Sequence, residues 1–254
     1  SDDCTQPRGK QRWRKDNFGC WYVQTTGIWQ SVWMEFVGDR HLGSVKITPE
    51  YDANAVRFDY RVNGLGAGSA VSESLRLTAR ITMDGELIKE TSLSADRSAL
   101  STTVELISDK REWRVQAWHP RSPKLYEVEF VLSDGDTELD RVQSYFGMRK
   151  ISIQKGKVLL NNEPIYQRLI LDQGYWPDSH LTPPSEEAII EDIDKILEMG
   201  YNGLRKHQKI EDARFLYWCD VKGLLVWSEM AATYEYNDLA VERFTREWVD
   251  IVQQ

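Results

Sequence analysis

A chain of 254 residues with 41% apolar content is long enough for one or two domains around a sizeable core. Its formal charge of −8 and isoelectric point near 5.2 exclude a surface built for nucleic acid or anionic membrane, because phosphate binding needs clustered Lys and Arg, and they leave a neutral substrate as the easier fit. No run approaches the roughly 18 apolar residues of a membrane span, and Cys4, Cys20 and Cys219 have neither the even count of a disulfide framework nor the spacing of a zinc site, so no metal or cofactor is expected.

The start, Ser1-Asp2-Asp3-Cys4, has no signal-peptide character. The compartment is left open, with a cytoplasmic location favoured over a periplasmic or secreted one. Residues 1–42 are rich in aromatics and turn residues, and two strands are expected within Phe18–Val23 and Thr26–Phe36. About forty residues do not close a β domain alone, so this reads as the tail of something larger.

From residue 43 to 147 the hydrophobic period becomes 2. Val56, Phe58, Tyr60 and Val62 alternate with Arg57, Asp59 and Arg61; Leu75, Leu77, Ala79 and Ile81 alternate with Arg76, Thr78 and Arg80. The alternation returns at Val104 and Leu106, at Trp113, Val115 and Ala117, and at Tyr126, Val128, Phe130 and Leu132. Turn signals stand at Met83-Asp84-Gly85 and Ser133-Asp134-Gly135. About seven short strands in this length predict an immunoglobulin-like β-sandwich with no chemistry of its own.

After Gly147-Met148-Arg149-Lys150 the pattern changes again. A hairpin is expected over Ile151–Ile153 and Val158–Leu160, turning at Lys155-Gly156. Three apolar runs then end in polar residues: Pro164–Leu171 at Asp172-Gln173, Tyr201–Leu204 at Arg205-Lys206-His207, and Leu224–Trp227 at Ser228-Glu229. Between the first two, Ser185 is a plausible N-cap for a helix carrying Ile189, Ile190, Ile193, Ile196 and Leu197, stopped by Gly200. A second helix runs from Asp212 to Lys222 and closes on Gly223; a third follows Asn237-Asp238 with Val241, Phe244, Trp248, Ile251 and Val252 on one stripe. This βαβαβα order predicts a parallel sheet, in which function collects at the carboxyl ends of the strands.

The whole order, together with local motifs, resembles glycoside hydrolase family 2, which contains β-galactosidases and β-glucuronidases. The motifs are Thr26-Gly27-Ile28-Trp29-Gln30, Pro123-Lys124-Leu125-Tyr126, Phe146-Gly147-Met148-Arg149-Lys150-Ile151, Asn202-Gly203-Leu204-Arg205, and Cys219-Asp220 with Gly223-Leu224-Leu225-Val226 and Glu229. The resemblance implies a multidomain β plus α/β chain: the last strands of a jelly-roll sugar-binding domain (1–42), the immunoglobulin-like sandwich (43–147) and the start of a (β/α)8 TIM barrel (148–254). Where galactosidases read Arg-x-Ser-His-Tyr-Pro, this chain reads Arg205-Lys206-His207-Gln208-Lys209-Ile210, which leaves the sugar open.

Retaining glycosidases need two carboxyl groups roughly 5–5.5 Å apart, one as nucleophile and one as acid/base. The resemblance places both beyond residue 254, so no catalytic residue is expected within the chain and it is expected to be inactive alone. The residues expected to bind carbohydrate are Asp172, Gln173, Trp176, Arg205, His207 and Glu229. Arg205 would orient carboxylates or substrate, His207 and Glu229 would bond at the pocket floor, Asp172 would accept from sugar hydroxyls, and Trp176 would offer a stacking face at the rim. An ion pair between Arg205 and Glu229 is the alternative to direct contact, and Trp227 reads as barrel filling.

Asp172 and Glu229 themselves are set aside as a catalytic pair because their strands are not neighbours. Two other readings compete with the hydrolase fragment. One is a non-catalytic carbohydrate-binding module, suggested by ten Trp and eleven Tyr. The other is an open α/β enzyme of another type, for which no Gly-x-Gly-x-x-Gly, phosphate loop or Gly-x-Ser-x-Gly is present. A partial barrel leaves strand edges uncovered, so self-association into a homo-oligomer is expected, alongside a carbohydrate partner.

Overall fold

The structure is a computed structural model that describes residues 2–65, 72–107 and 114–253. The strand position expected at Trp113 lies outside the described residues. By packing, the chain forms two compact units, one of residues 34–166 and one that joins 1–33 to 167–254. The sequence boundaries at 42 and 147 fall elsewhere, because they follow changes of pattern whereas the units follow contact.

The described residues of the unit 34–166 are built of β-strands, with one 3-10 turn at Tyr51–Ala53. Its strands are β1 (His41–Glu50), β2 (Ala55–Asn63), β3 (Leu75–Met83), β4 (Glu86–Ser94), β5 (Ala99–Glu105), β6 (Trp118–His119), β7 (Ser122–Pro123), β8 (Tyr126–Asp134), β9 (Thr137–Phe146), β10 (Ile151–Gln154), β11 (Lys157–Leu160) and β12 (Glu163–Pro164). One sheet has the order β1-β2-β5 and another β4-β3-β8-β9. The alternating residues of both sheets enclose a single core, in which Val56, Phe58, Tyr60 and Val62 meet Leu75, Leu77, Ile81, Val128, Phe130 and Leu132. A period of 2 puts one side chain in every two on the inner face, and the polar partners Arg57, Asp59 and Arg61 stand outside.

The turns fall where their chemistry places them. Asp84 and Gly85 both have positive φ (51° and 82°), the geometry of a two-residue hairpin turn whose twist matches the strands it joins, here β3 and β4. The β10–β11 hairpin turns in the same way on Lys155 and Gly156.

In the other unit, β13 (Leu169–Asp172), β14 (Gly203–Lys206) and β15 (Leu225–Ser228) pair parallel in that order. The helices α1 (Glu186–Glu198), α2 (Ala213–Lys222) and α3 (Asp238–Gln253) follow the strands in turn. Ser185 caps α1 by accepting from the Ala188 N–H at 3.1 Å, and Gly223 closes α2 in the left-handed conformation (φ 80°). Ile189, Ile193 and Ile196 of α1 pack with Phe215 and Cys219 of α2 against Leu204, with Ile170 and Val226 at the margin.

Two sequence expectations change here. The first strand starts at Leu169, since Pro164 belongs to the short β12 pairing with Leu159. The two strands expected before residue 37 do not form. A chain becomes a strand only where a neighbour offers its ladder. Here the N-terminal segment instead spends its backbone bonds on loops of its own unit: the Arg8 N–H donates to Ala232 O (3.0 Å), and the Tyr234 N–H donates to Cys4 O (2.9 Å). The remaining trace of pairing is an isolated bridge between Gln11 and Tyr22.

Candidate functional site

Register decides what each strand end can do. Three rows cross the parallel sheet: Ile170, Leu204 and Val226; then Leu171, Arg205 and Trp227; then Asp172, Lys206 and Ser228. Successive side chains alternate between faces. The first row packs on the helices, so the third row shares that face and the middle row occupies the other.

The third row is therefore drawn into the helix layer. Lys206 is 1% exposed, with its ammonium 4.1 Å from the Phe215 ring of α2. It pairs with Asp172, and with Glu211 at 3.0 Å; Glu211 in turn pairs with Lys209 at 2.9 Å. Burial opposes the charge on Lys206, but Glu211 and Asp172 outweigh it and hold the ammonium above the usual lysine range. For Lys209 burial wins over Glu211, and its pKa is lowered.

This buried network also fixes the loop after β13. Lys209 donates to Gly174 O (2.7 Å) and Leu181 O (2.8 Å), and the Gly174 N–H donates to Asp172 Oδ1 at 2.7 Å. Gly174 has φ 64°, and a side chain there would collide with Lys209 and Glu211 at under 3 Å, so the position requires glycine. Trp176 exchanges both backbone hydrogen bonds with His180, which folds the loop tightly, and Trp176 is left half-buried, as is Gln173.

The middle row stays on the open face. Arg205 donates to Glu229 Oε1, while the Gln208 N–H donates to Glu229 Oε2 at 3.3 Å. The ion pair weighed for Arg205 and Glu229 is therefore formed. Trp227, read as barrel filling, is 56% exposed, and Leu171 is equally open beside Arg205, because this face of the three strands carries no helix.

His207 lies between the two groups. Its backbone N–H donates to Asp172 O (2.8 Å), and its Nδ1 is buried with no hydrogen-bond partner. Burial lowers its pKa, with Glu229 pulling the other way, so the neutral imidazole is favoured.

A cavity of about 260 Å³ opens at the same strand ends, with Trp29, Tyr175, Gln208 and Lys209 among its lining residues and Arg8 and Lys10 from the N-terminal segment. Tyr175 stacks on Tyr22 with centroids 4.2 Å apart, and Lys209 lies 4.7 Å from the Trp29 ring. The six residues expected from the sequence surround the strand ends, but none lines this cavity. Its walls were missed because six of the fourteen lining residues come from residues 7–30, distant in the chain. Lys206 was missed although strict alternation from Leu204 would have marked it as a buried cation needing a carboxylate.

No group of three or more His, Cys, Asp or Glu able to hold a metal occurs among the described residues. The two carboxylates nearest the strand ends, Asp172 and Glu229, are each engaged by a cation and belong to opposite faces of the sheet. Their strands are separated by β14, which sets them roughly 10 Å apart at the backbone.

Residues 40–149 match the family model for glycosyl hydrolases family 2. Over that stretch the chain is similar to the family 2 glycosyl hydrolases. It is 25% identical over 205 residues to a β-galactosidase of Lactococcus lactis, covering 80% of this chain and 19% of that protein. It is 26% identical over 219 residues to a β-galactosidase of Thermoanaerobacter pseudethanolicus, covering 85% and 29%. Among solved structures, β-glucuronidase 3 of Bacteroides uniformis has the same fold, with TM-score 0.70, 22% identity and coverage of 84% of this chain and 26% of that one. The chain thus spans about a fifth to three tenths of the length of these relatives.

Proposed function

We propose that this chain forms the non-catalytic wall of a β-glycoside site in a retaining family 2 hydrolase, and that it hydrolyses nothing by itself. In this reading the unit 34–166 is the immunoglobulin-like sandwich of the family, and β13–β15 with their helices are the first three units of a (β/α)8 barrel. Leu171, Arg205 and Trp227 then face the barrel interior. The catalytic acid and nucleophile come from barrel strands that β13–β15 do not include.

The observation that carries the reading is the division of the two strand-end carboxylates between opposite faces, each paired with its own cation. A retaining mechanism needs two carboxyl groups about 5–5.5 Å apart across one glycosidic bond, one of them protonated. Asp172 and Glu229, on opposite faces of the sheet and each held by its own cation, do not flank one glycosidic bond. What they can do is hold other groups: Asp172 fixes the start of the loop carrying Gln173 and Trp176, and Glu229 sets the Arg205 guanidinium as a donor at the mouth, beside His207.

The β-galactosidase and β-glucuronidase relatives point to a β-linked hexose or hexuronic acid as the substrate class. Calorimetric titration of the chain with methyl β-galactoside and methyl β-glucuronide tests the wall. Saturable heat is expected from one of them, with affinity falling about 10–100-fold in Arg205→Ala, the value of a hydrogen bond to a charged group. No heat from either ligand, or equal heat in Arg205→Ala, would remove these strand ends from sugar recognition.

A further inference from the structure

The segment that covers the strand-end loops carries a side-chain pair that the glycosidase reading does not use. Lys10 is only 7% exposed, and its ammonium donates to Cys20 Sγ at 3.0 Å while lying 4.1 Å from the Trp21 ring. Among the described residues no carboxylate comes within ion-pair distance of it. Arg8 and Lys209, the other cations lining the same cavity, direct their donors to backbone carbonyls and, for Lys209, to Glu211.

A buried ammonium with no carboxylate is unfavourable unless something supplies the counter-charge. The group in contact is the sulfur, and Cys20 itself is exposed. The hydrogen bond from Lys10 lowers the Cys20 pKa, whereas burial raises those of Cys4 and Cys219. The three thiols are thus distinct: Cys219 lies sealed in the helix layer, the Cys4 thiol donates to a carbonyl, and Cys20 sets its sulfur against a lysine nitrogen.

We propose that Lys10 and Cys20 form an oxidation-dependent covalent bridge, Nζ–O–Sγ, with a peroxide as the oxidant. The step balances as R–NH3⁺ plus R′–S⁻ plus two H2O2 giving R–NH–O–S–R′ plus three H2O. Sulfur and nitrogen each lose two electrons, the two peroxides accept the four, and the protons leave as water. The thiolate first attacks one peroxide, giving water and the sulfenic acid, the reversible rung of thiol oxidation; the N–O bond then forms between the adjacent amine and the sulfenic oxygen, with the second peroxide accepting the two electrons released and leaving as water. A thiol reductant returns the free lysine and cysteine.

The bridge would close the loop between residues 10 and 20, which carries Trp13 and ends beside Trp21, both packed on Tyr234. The Tyr234 hydroxyl also lies within hydrogen-bond distance of Gly9 O and the Gln208 side-chain amide, so the loop covers the same strand ends as the candidate site. Oxidation would therefore staple that cover, and reduction would release it. This inference does not rest on sugar binding or turnover.

The test is intact and peptide mass spectrometry of the full chain after exposure to hydrogen peroxide, with and without subsequent dithiothreitol. The expected result is a gain of about 14 Da, one oxygen added and two hydrogens lost, reversed by dithiothreitol. After trypsin it would map to peptides 9–12 and 16–40 joined through Lys10 and Cys20. Cys20→Ser and Lys10→Met should each abolish the joined peptide, and Lys10→Arg, which keeps the cation and the fold, should allow sulfenic acid at Cys20 but no bridge. Cys20 passing only to sulfenic, sulfinic or sulfonic acid in the native chain, or the gain persisting in Cys20→Ser, would overturn the proposal.

Discussion

Replacing Lys206 with Met is expected to lower the stability of the folded chain by about 3–5 kcal/mol, the range for removing one partner of a buried ion pair. Lys206 is the shared cation of two carboxylates, Asp172 and Glu211, within a layer otherwise filled by Phe215, Ile189 and Cys219. Methionine fills much of the lysine stem, so the packing loss is small and the effect comes from charge. Asp172 would keep the Gly174 N–H and Glu211 would keep Lys209, but both carboxylates would lose the cation between them.

Urea unfolding followed by tryptophan fluorescence reads this directly. The control is Lys222→Met, which removes a partly exposed pair with Asp194 at 2.7 Å and should change stability by no more than about 1 kcal/mol. Equal effects of the two substitutions would show that the Lys206 network contributes no more than a surface pair.

Phe58→Ala in the sandwich core is the second large effect, expected at about 3–5 kcal/mol. Phe58 is fully buried on β2 and reaches across the sandwich, its ring edge-on to Phe130 (5.2 Å) and to Phe146 (6.1 Å) of the opposing sheet. Truncation removes the apolar transfer term and leaves a ring-sized cavity that strands paired on both sides of β2 cannot collapse to fill. Hydrogen exchange of β2, β3 and β8 amides should accelerate correspondingly. Protection unchanged in those three strands would contradict the packing described.

The sandwich was legible because its signal is local. The alternation from Val56 to Val62 and from Leu75 to Ile81 reports an inner face directly, and Asp84-Gly85 fixes its own turn. The three parallel strands and their helices were legible for the same reason, down to the Ser185 cap and the Gly223 stop.

The site was harder because its features are relations between strands. Arg205 and Lys206 are adjacent in sequence, yet one stands on the open face with Glu229 and the other is sealed under α2 with Asp172 and Glu211; only register separates them. The aromatic N-terminal segment was read as strands because Trp, Tyr, Val and Ile favour them. Its partners are loops beyond residue 170, and no local pattern announces a contact at that separation.

The β13–β15 strand ends remain the centre of the functional reading: a wall of Arg205, His207, Glu229 and Trp176 whose two carboxylates are committed to ion pairs. The most direct test is release of p-nitrophenol from a panel of β-galactoside, β-glucuronide and β-mannoside substrates by the purified chain, across the pH range in which it stays folded. The expected result is no release above a protein-free blank. Release that disappears in Glu229→Gln or Asp172→Asn would contradict it, by showing that a carboxylate assigned here to holding the site performs the chemistry.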